Sequence, residues 1–318
     1  MVKIQKQPLF TESVFFPATR SGLLILLACV LMAVGCGIKK EVKIDVSPRL
    51  LAARTADFDE LLAIANQYEK ISNLQGSGMK ATLTLGKWES GSREEYRSAP
   101  GYILLRRPSS LHLVIQNPVF YKTAIFEAVS DGDEFSAWLR DTNKVYKGSN
   151  SAKELVSDDR PSGIPLRPDH LYDAIIPAGI DPSEPGLRIS LEESADKIAK
   201  YYILSVYREG VPPLIHISRR IWIERSQLVV SRLQSYDAGG RMICDIAYSE
   251  MTPVDGIHLP LKIDIDRPED GYSLTLEFTN GSWGVNSWLD DDSFVLPPRE
   301  GTETIVLRER ESAEGSAE

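Results

Sequence analysis

The chain has 318 residues, 42% of them hydrophobic, and a formal net charge of −9. A body of this size can bury one large core, and its acidity disfavours non-specific binding to nucleic acid. Three cysteines are present in all, too few for a disulfide framework.

The first residues carry Lys3, Lys6 and Arg20. An apolar run follows from Leu23 to Val34 and is closed by Gly35-Cys36. A helix crossing hydrocarbon needs roughly 20 apolar residues, so this shorter run reads as an export signal over residues 1–35. Leu31-Met32-Ala33-Val34-Gly35-Cys36 resembles the bacterial lipobox, with Ala33 where leucine is preferred. That resemblance implies lipidation of Cys36, which becomes the new N-terminus. Leu26-Leu27-Ala28-Cys29 is a second, weaker candidate, and an ordinary cleaved signal with a chance cysteine is the bland alternative. Gly37 stands where retained inner-membrane lipoproteins commonly carry aspartate, so the resemblance implies an outer-membrane anchor facing the periplasm. With Cys29 removed and Cys36 acylated, Cys244 is the one thiol left, and its strand-like surroundings read as a small buried hydrophobe.

Residues 36–56 read as a tether. Asp57 and Glu60 then stand at capping-box spacing, and Phe58, Leu61, Leu62, Ala65 and Tyr68 recur at helical intervals, which predicts an amphipathic helix over 57–70. From Leu74 the period changes to two. Met79, Ala81, Leu83 and Leu85 alternate with Lys80, Thr82 and Thr84, and the alternation returns at Leu111, Leu113 and Ile115. Short β-prone runs follow to Lys147, with turns at Asp131-Gly132 and Asp141-Thr142-Asn143. Residues 150–186 are rich in proline, yet Asp169 to Ile176 fits a short helix that crosses and packs on the sheet. The second half is β again, through seven runs from Leu187 to Phe278, with a hairpin signal at Tyr236-Asp237-Ala238-Gly239-Gly240. Residues 296–318 are polar and read as a disordered tail.

These elements predict a mainly β fold with some α: one large, curled antiparallel sheet, a half-barrel, covered by an N-terminal helix and a short internal helix. Residues 57–295 form its single domain. A sheet of eleven or more strands cannot stay flat, and a bent sheet has a hollow face; the expectation is that this hollow stays apolar and partly vacant.

The order of motifs resembles the LolA/LolB-like superfamily of lipoprotein carriers. The resemblance runs through Leu74-Gln75-Gly76-Ser77-Gly78, Gly101-Tyr102-Ile103-Leu104-Leu105-Arg106-Arg107-Pro108, Leu111 to Pro118, Ser130-Asp131-Gly132, Gly163-Ile164-Pro165-Leu166 and the Tyr236 hairpin. It covers most of residues 57–285, and no one motif in it is specific. It implies an anchored, LolB-like protein that holds acyl chains or lipoproteins on a concave apolar face and passes them to the outer membrane. No covalent chemistry or cofactor is implied. The loop Val119, Phe120 and Tyr121 matches an apolar insertion loop by that resemblance; alternatively, Val119 and Phe120 begin the next strand and pack inward. Arg106 and Arg107 are candidate head-group contacts, with solvated edge charges as the plainer reading. The five tryptophans read as sheet aromatics.

His112, His170, His216 and His258 are scattered singly, and no nucleophile elbow, phosphate loop or dinucleotide fingerprint is present. Asp290-Asp291-Asp292 lacks the glycine and distal glutamate of a calcium loop. An enzyme is not expected. The competing reading is a structural or assembly lipoprotein that binds a protein partner in the envelope; an envelope hydrolase would need an acid–base pair the sequence does not reveal.

Overall fold

A computed structural model describes residues 47–86, 94–120, 123–151, 155–156, 167–210 and 214–309. The signal, Cys36, the first part of the tether, Trp88, Tyr121, Gly163 to Leu166 and residues 310–318 lie outside the described residues.

Helix α1, Phe58–Ala65, starts where the capping box predicts, with the Asp57 side chain accepting from the Glu60 N–H at 2.9 Å. A 3-10 turn, Gln67–Lys70, continues it. Six strands follow: β1 Asn73–Leu85, β2 Glu94–Arg106, β3 Ser110–Gln116, β4 Ala124–Ser130, β5 Glu134–Leu139 and β6 Lys144–Ser149. After the short β7, Leu155–Val156, helix α2, Pro168–Ile175, separates them from the second set. That set is β8 Leu187–Ala195, β9 Lys200–Glu209, β10 Ile215–Glu224, β11 Val229–Tyr236, β12 Met242–Val254, β13 Ile257–Arg267 and β14 Tyr272–Phe278, with β15 Trp283–Val285, β16 Glu303–Val306 and β17 Arg308–Glu309 after it.

Fifteen of these strands form one sheet in the order β16-β6-β5-β4-β3-β2-β1-β14-β13-β12-β11-β10-β9-β8, with β15 paired to the near end of β1. The sheet is therefore two meanders joined back to back. The first strand of one, β1, pairs antiparallel with the last strand of the other, β14, in the register Met79↔Phe278, Ala81↔Leu276 and Leu83↔Leu274. Along this seam every second residue is apolar and faces the helices, and Met79, Leu274 and Leu276 are buried. At the seam's end the rings of Phe278 and Trp283, 4.1 Å apart, close over Gly76. A β-carbon there would lie 2.7 Å from Phe278 and 2.8 Å from Trp283, so only glycine fits without displacement.

The sheet bends around its helices. Helix α2 has eight residues and is about 12 Å long. It packs on β3 and β4, yet its Ala174 carbonyl also accepts the Tyr248 hydroxyl of β12 at 2.7 Å. Strands β4 and β12 stand six places apart in the order, about 29 Å in a flat sheet. Only a curled sheet brings both to one short helix. Helix α1 in turn reaches β10 and β11, and Leu61, Tyr68 and Ile71 are sealed inside the same core as Leu204, Ile223 and Leu259.

Two expectations are corrected at the ends. Residues 296–309 are not a disordered tail: β16 pairs in parallel with β6, and β17 with β7. The preceding segment lies across the outer face of the first meander, where Arg299 binds the buried Glu127 and stacks 3.7 Å above the Trp138 ring. His112 links the two, with Nε2 2.9 Å from Glu127 and Nδ1 2.6 Å from the Ser293 carbonyl, an acceptor that requires a proton on Nδ1. Burial by itself would raise the Glu127 carboxyl, but the His112 bond and the charges of His112 and Arg299 outweigh it and hold the group below its usual range. The tether is also shorter than expected, since Pro48–Leu51 is helical and Arg54 exchanges backbone and guanidinium bonds with Arg225. Both misreadings have one cause: these segments are held by hydrogen bonds and ion pairs to residues distant in the chain, which hydropathy does not register.

Leu274→Ala should cost about 2–5 kcal/mol in urea unfolding, whereas Leu191→Ala on the exposed edge strand β8 should cost under about 1 kcal/mol. Arg299→Ala leaves Glu127 buried with only His112 beside it, and limited proteolysis should then cut within 296–309 well before the sheet unfolds.

Candidate functional site

Strands β3 and β4 meet in a turn that the Asn117 side chain organises, accepting from the Val119 and Phe120 N–H groups at 2.8 and 3.0 Å. The Asn117 N–H closes the loop on the Thr123 carbonyl at 2.8 Å. With its backbone bonds satisfied inside the turn, the loop projects its side chains: Val119 is 73% exposed and Phe120 67%. Neither begins the next strand, which starts at Ala124. The result is an apolar tip on a fixed hairpin.

A groove of about 650 Å³ opens on the outer face next to this hairpin. Gln116, the last residue of β3, lines it together with Met79, Pro100, Tyr102 and Leu104. It exists because β1 and β2 slip register between Gly76 and Met79, leaving Ser77 and Gly78 out of the ladder.

Arg106 and Arg107 are not free for head groups. Arg106 bonds Asp291 at 2.5 Å and the Asp290 carbonyl at 3.2 Å, and lies 4.2 Å above the Phe294 ring. Arg107 donates to the carbonyls of Ile71 and Tyr68 at 2.8 and 3.0 Å. Their role is internal: one clamps the C-terminal segment, the other caps the turn after α1. Asp290 and Asp291, which sequence alone reads as a solvated acidic run, supply the partners.

The hollow beneath the helices also departs from expectation. Around α1 the buried side chains Leu61, Ala65, Tyr68 and Ile71 pack into the core, and a cavity of about 260 Å³ under α2 is lined by His170, Asp173, Arg219 and Arg267 as well as Ala174, Leu233 and Ile246. Cross-strand pairing aligns Val206, Arg219, Ser235 and Cys244 in one inward row. Arg267 donates to Asp270 at 2.5 Å and to His170 Nε2 at 3.2 Å. Burial, with the charges of Arg267 and Arg167, pushes His170 down to about 2, so it is a neutral acceptor here. Burial and Asp169 push the Asp173 carboxyl up to about 6, against the opposing pull of Arg219 and Arg267. Burial raises the Cys244 thiol to about 11 against the lowering pull of Arg267, so it is a thiol rather than a thiolate.

This group was missed because its two arginines lie far in sequence from each other and from His170 and Asp173. A signal was present: Arg219 precedes Ile221 and Ile223, and Arg267 follows Ile263 and Ile265, each on the buried side of the two-residue period. A charge on the apolar side of a strand marks either an error in register or a polar site. Among the described residues no group of three or more His, Cys, Asp or Glu side chains is placed to hold a metal.

No protein family model and no curated protein matches this chain. Among solved structures it is similar to a DUF1329 family protein from Desulfovibrio piger, with a TM-score of 0.48 and 15% identity over 74% of this chain and 95% of that one. It is also similar to a LolA superfamily protein from Nitrosomonas europaea, with a TM-score of 0.44 and 12% identity over 76% of this chain and 99% of that one. At such identities the likeness concerns the path of the chain, not its chemistry.

The depressed His170 sets a pH dependence. Its folded value lies below the unfolded 6.5, so its contribution is complete above pH 6.5 and is lost as the pH falls towards 2. The His170 contribution should fall on acidification from pH 6.5 to 4.5 by up to about 1.4 kcal/mol per pH unit, with Asp173 opposing it below about pH 6, so urea titrations of His170→Gln should show a more favourable change in stability on acidification than those of the native chain.

Proposed function

We propose that this chain is a lipid-anchored protein of the bacterial envelope, tethered through Cys36 to the outer membrane and facing the periplasm. There it meets acyl chains or acylated lipoproteins with its β3–β4 tip and aids their transfer. One observation carries the reading: two large apolar side chains, Val119 and Phe120, stand out in solvent on a hairpin whose own hydrogen bonds are satisfied. A side chain so exposed gains by entering hydrocarbon, at about 0.8 kcal/mol per buried CH₂, and the Asn117 bonds already order the backbone at Val119 and Phe120. Tyr121 belongs to the same apolar segment in the sequence. The outer groove beside Gln116 supports the reading, because Pro100, Tyr102 and Leu104 line it with apolar surface next to the tip. No helix among the described residues is long and apolar enough to cross a membrane, so attachment in this reading rests on the lipid at Cys36.

The test has two arms. Cys36→Ala should abolish incorporation of labelled palmitate in cells. Val119→Asp with Phe120→Asp should reduce flotation of the non-acylated chain with vesicles of phosphatidylethanolamine and phosphatidylglycerol at least roughly tenfold, since two charges must leave water. A photo-crosslinker at Phe120 that captures one dominant envelope protein and no lipid would replace this reading with the assembly-protein reading.

A further inference from the structure

Arg219 and Arg267 rise from β10 and β13, three strands or about 14 Å apart along the inner face, and both act on one carboxylate, Asp173 of α2. The hydrogen bonds of Arg219 go to the carbonyls of Ala178 at 2.6 Å and Gly179 at 3.0 Å. Carbonyls satisfy its donors but do not cancel its charge. Arg267 is paired with Asp270 at 2.5 Å and turns a terminal nitrogen to His170, a neutral acceptor that adds nothing to the charge balance, so the uncancelled charge is that of Arg219. Asp173 stands at the mouth of the cavity and bonds neither arginine.

We infer that the cavity under α2 binds a compact oxyanion, a phosphate or carboxylate group, between Arg219 and Arg267. The volume of about 260 Å³ admits such a group with a few waters, since one water occupies about 30 Å³ in the liquid. Ser235 and the Cys244 thiol lie on the cavity floor, and apolar Leu233, Ile243 and Ile246 lower the local dielectric, which strengthens attraction between guanidinium and oxyanion. A cation is disfavoured by the two arginines, and an acyl chain by the cost of stripping water from them without compensation. The charged groups facing Asp173 are Asp169 on its own helix, Arg267 from β13 and Arg219 from β10; beyond Arg219 lie Arg208 and Glu184, which pair with each other. Protonating Asp173 removes the built-in competitor, so the anion binds more tightly as the pH falls through about 6. This inference stands apart from the membrane-contact reading and does not depend on it.

Cys244 reports on the cavity it lines. In detergent-solubilised full-length protein, its labelling is followed by peptide mass spectrometry, comparing an anionic with a cationic methanethiosulfonate of similar size. The anionic reagent should label it roughly tenfold faster, and the ratio is independent of the thiol's own reactivity. Inorganic phosphate should slow that labelling and raise the Tm, Arg219→Gln should erase both effects, and Asp173→Asn should strengthen protection at pH 7.5. The last is a gain that misfolding cannot mimic. Protection by phosphate points to a free anion, and protection by short-chain phosphatidic acid alone points to a lipid head group. Equal labelling by both reagents, or no effect of either anion on labelling and Tm, overturns the proposal.

Discussion

The pairing of β1 with β14 is the constraint on which everything else in this protein rests. Each meander can form from neighbours in sequence, but neither can curl around the helices until Met79 lies beside Phe278 and Leu83 beside Leu274. Those partners are about 200 residues apart, and closing a loop of that length costs on the order of 5 kcal/mol of chain entropy before any contact repays it. The compensation comes from burial on one side of the seam, where Leu74, Met79, Leu274 and Leu276 meet Leu61 and Tyr68 of the first helical segment. Assembly is therefore expected to be late and cooperative at the seam, as non-local β pairing generally is.

Once closed, the sheet has two differently managed faces. Inward, apolar side chains and two short helices fill most of the volume, and α2 touches both meanders. Outward, the first meander is covered by the C-terminal segment through a buried charge network, His112, Glu127 and Arg299, with Trp138 beneath the guanidinium. Such a network is costly to break and specific in register, so it directs a polar segment to one place on the sheet. The β16–β6 pairing that follows also covers one edge of the sheet, where an open strand would invite association.

The two candidate sites separate along the same division. The apolar element reaches into solvent at a hairpin tip on the outside, while charge is gathered in the cavity on the inside. This reverses the arrangement expected from a curled sheet with a greasy hollow. The reason is local: the row from Arg219 through Ser235 to Cys244, with Arg267 beside it, replaces apolar side chains at one end of the inner face. Helix α2 covers that end without filling it.

Much of this was legible in the sequence. The two-residue period marked the strands, Asp57 with Glu60 marked the start of α1, and Asp131-Gly132 and Asp237 to Gly240 marked hairpins, because each depends on backbone preferences and hydrogen bonds within a few residues. The curled, helix-covered sheet followed from strand number and amphipathic helices. Tertiary structure alone decided which strands meet at the seam, whether Val119 and Phe120 point in or out, that Arg106, Arg107 and the aspartates at 290 and 291 bind each other's segments, and that four scattered polar residues share one cavity. Those outcomes depend on which distant side chain can satisfy a buried charge or fill a given volume. A period along the chain carries the face a residue occupies, but not the neighbour it finds there.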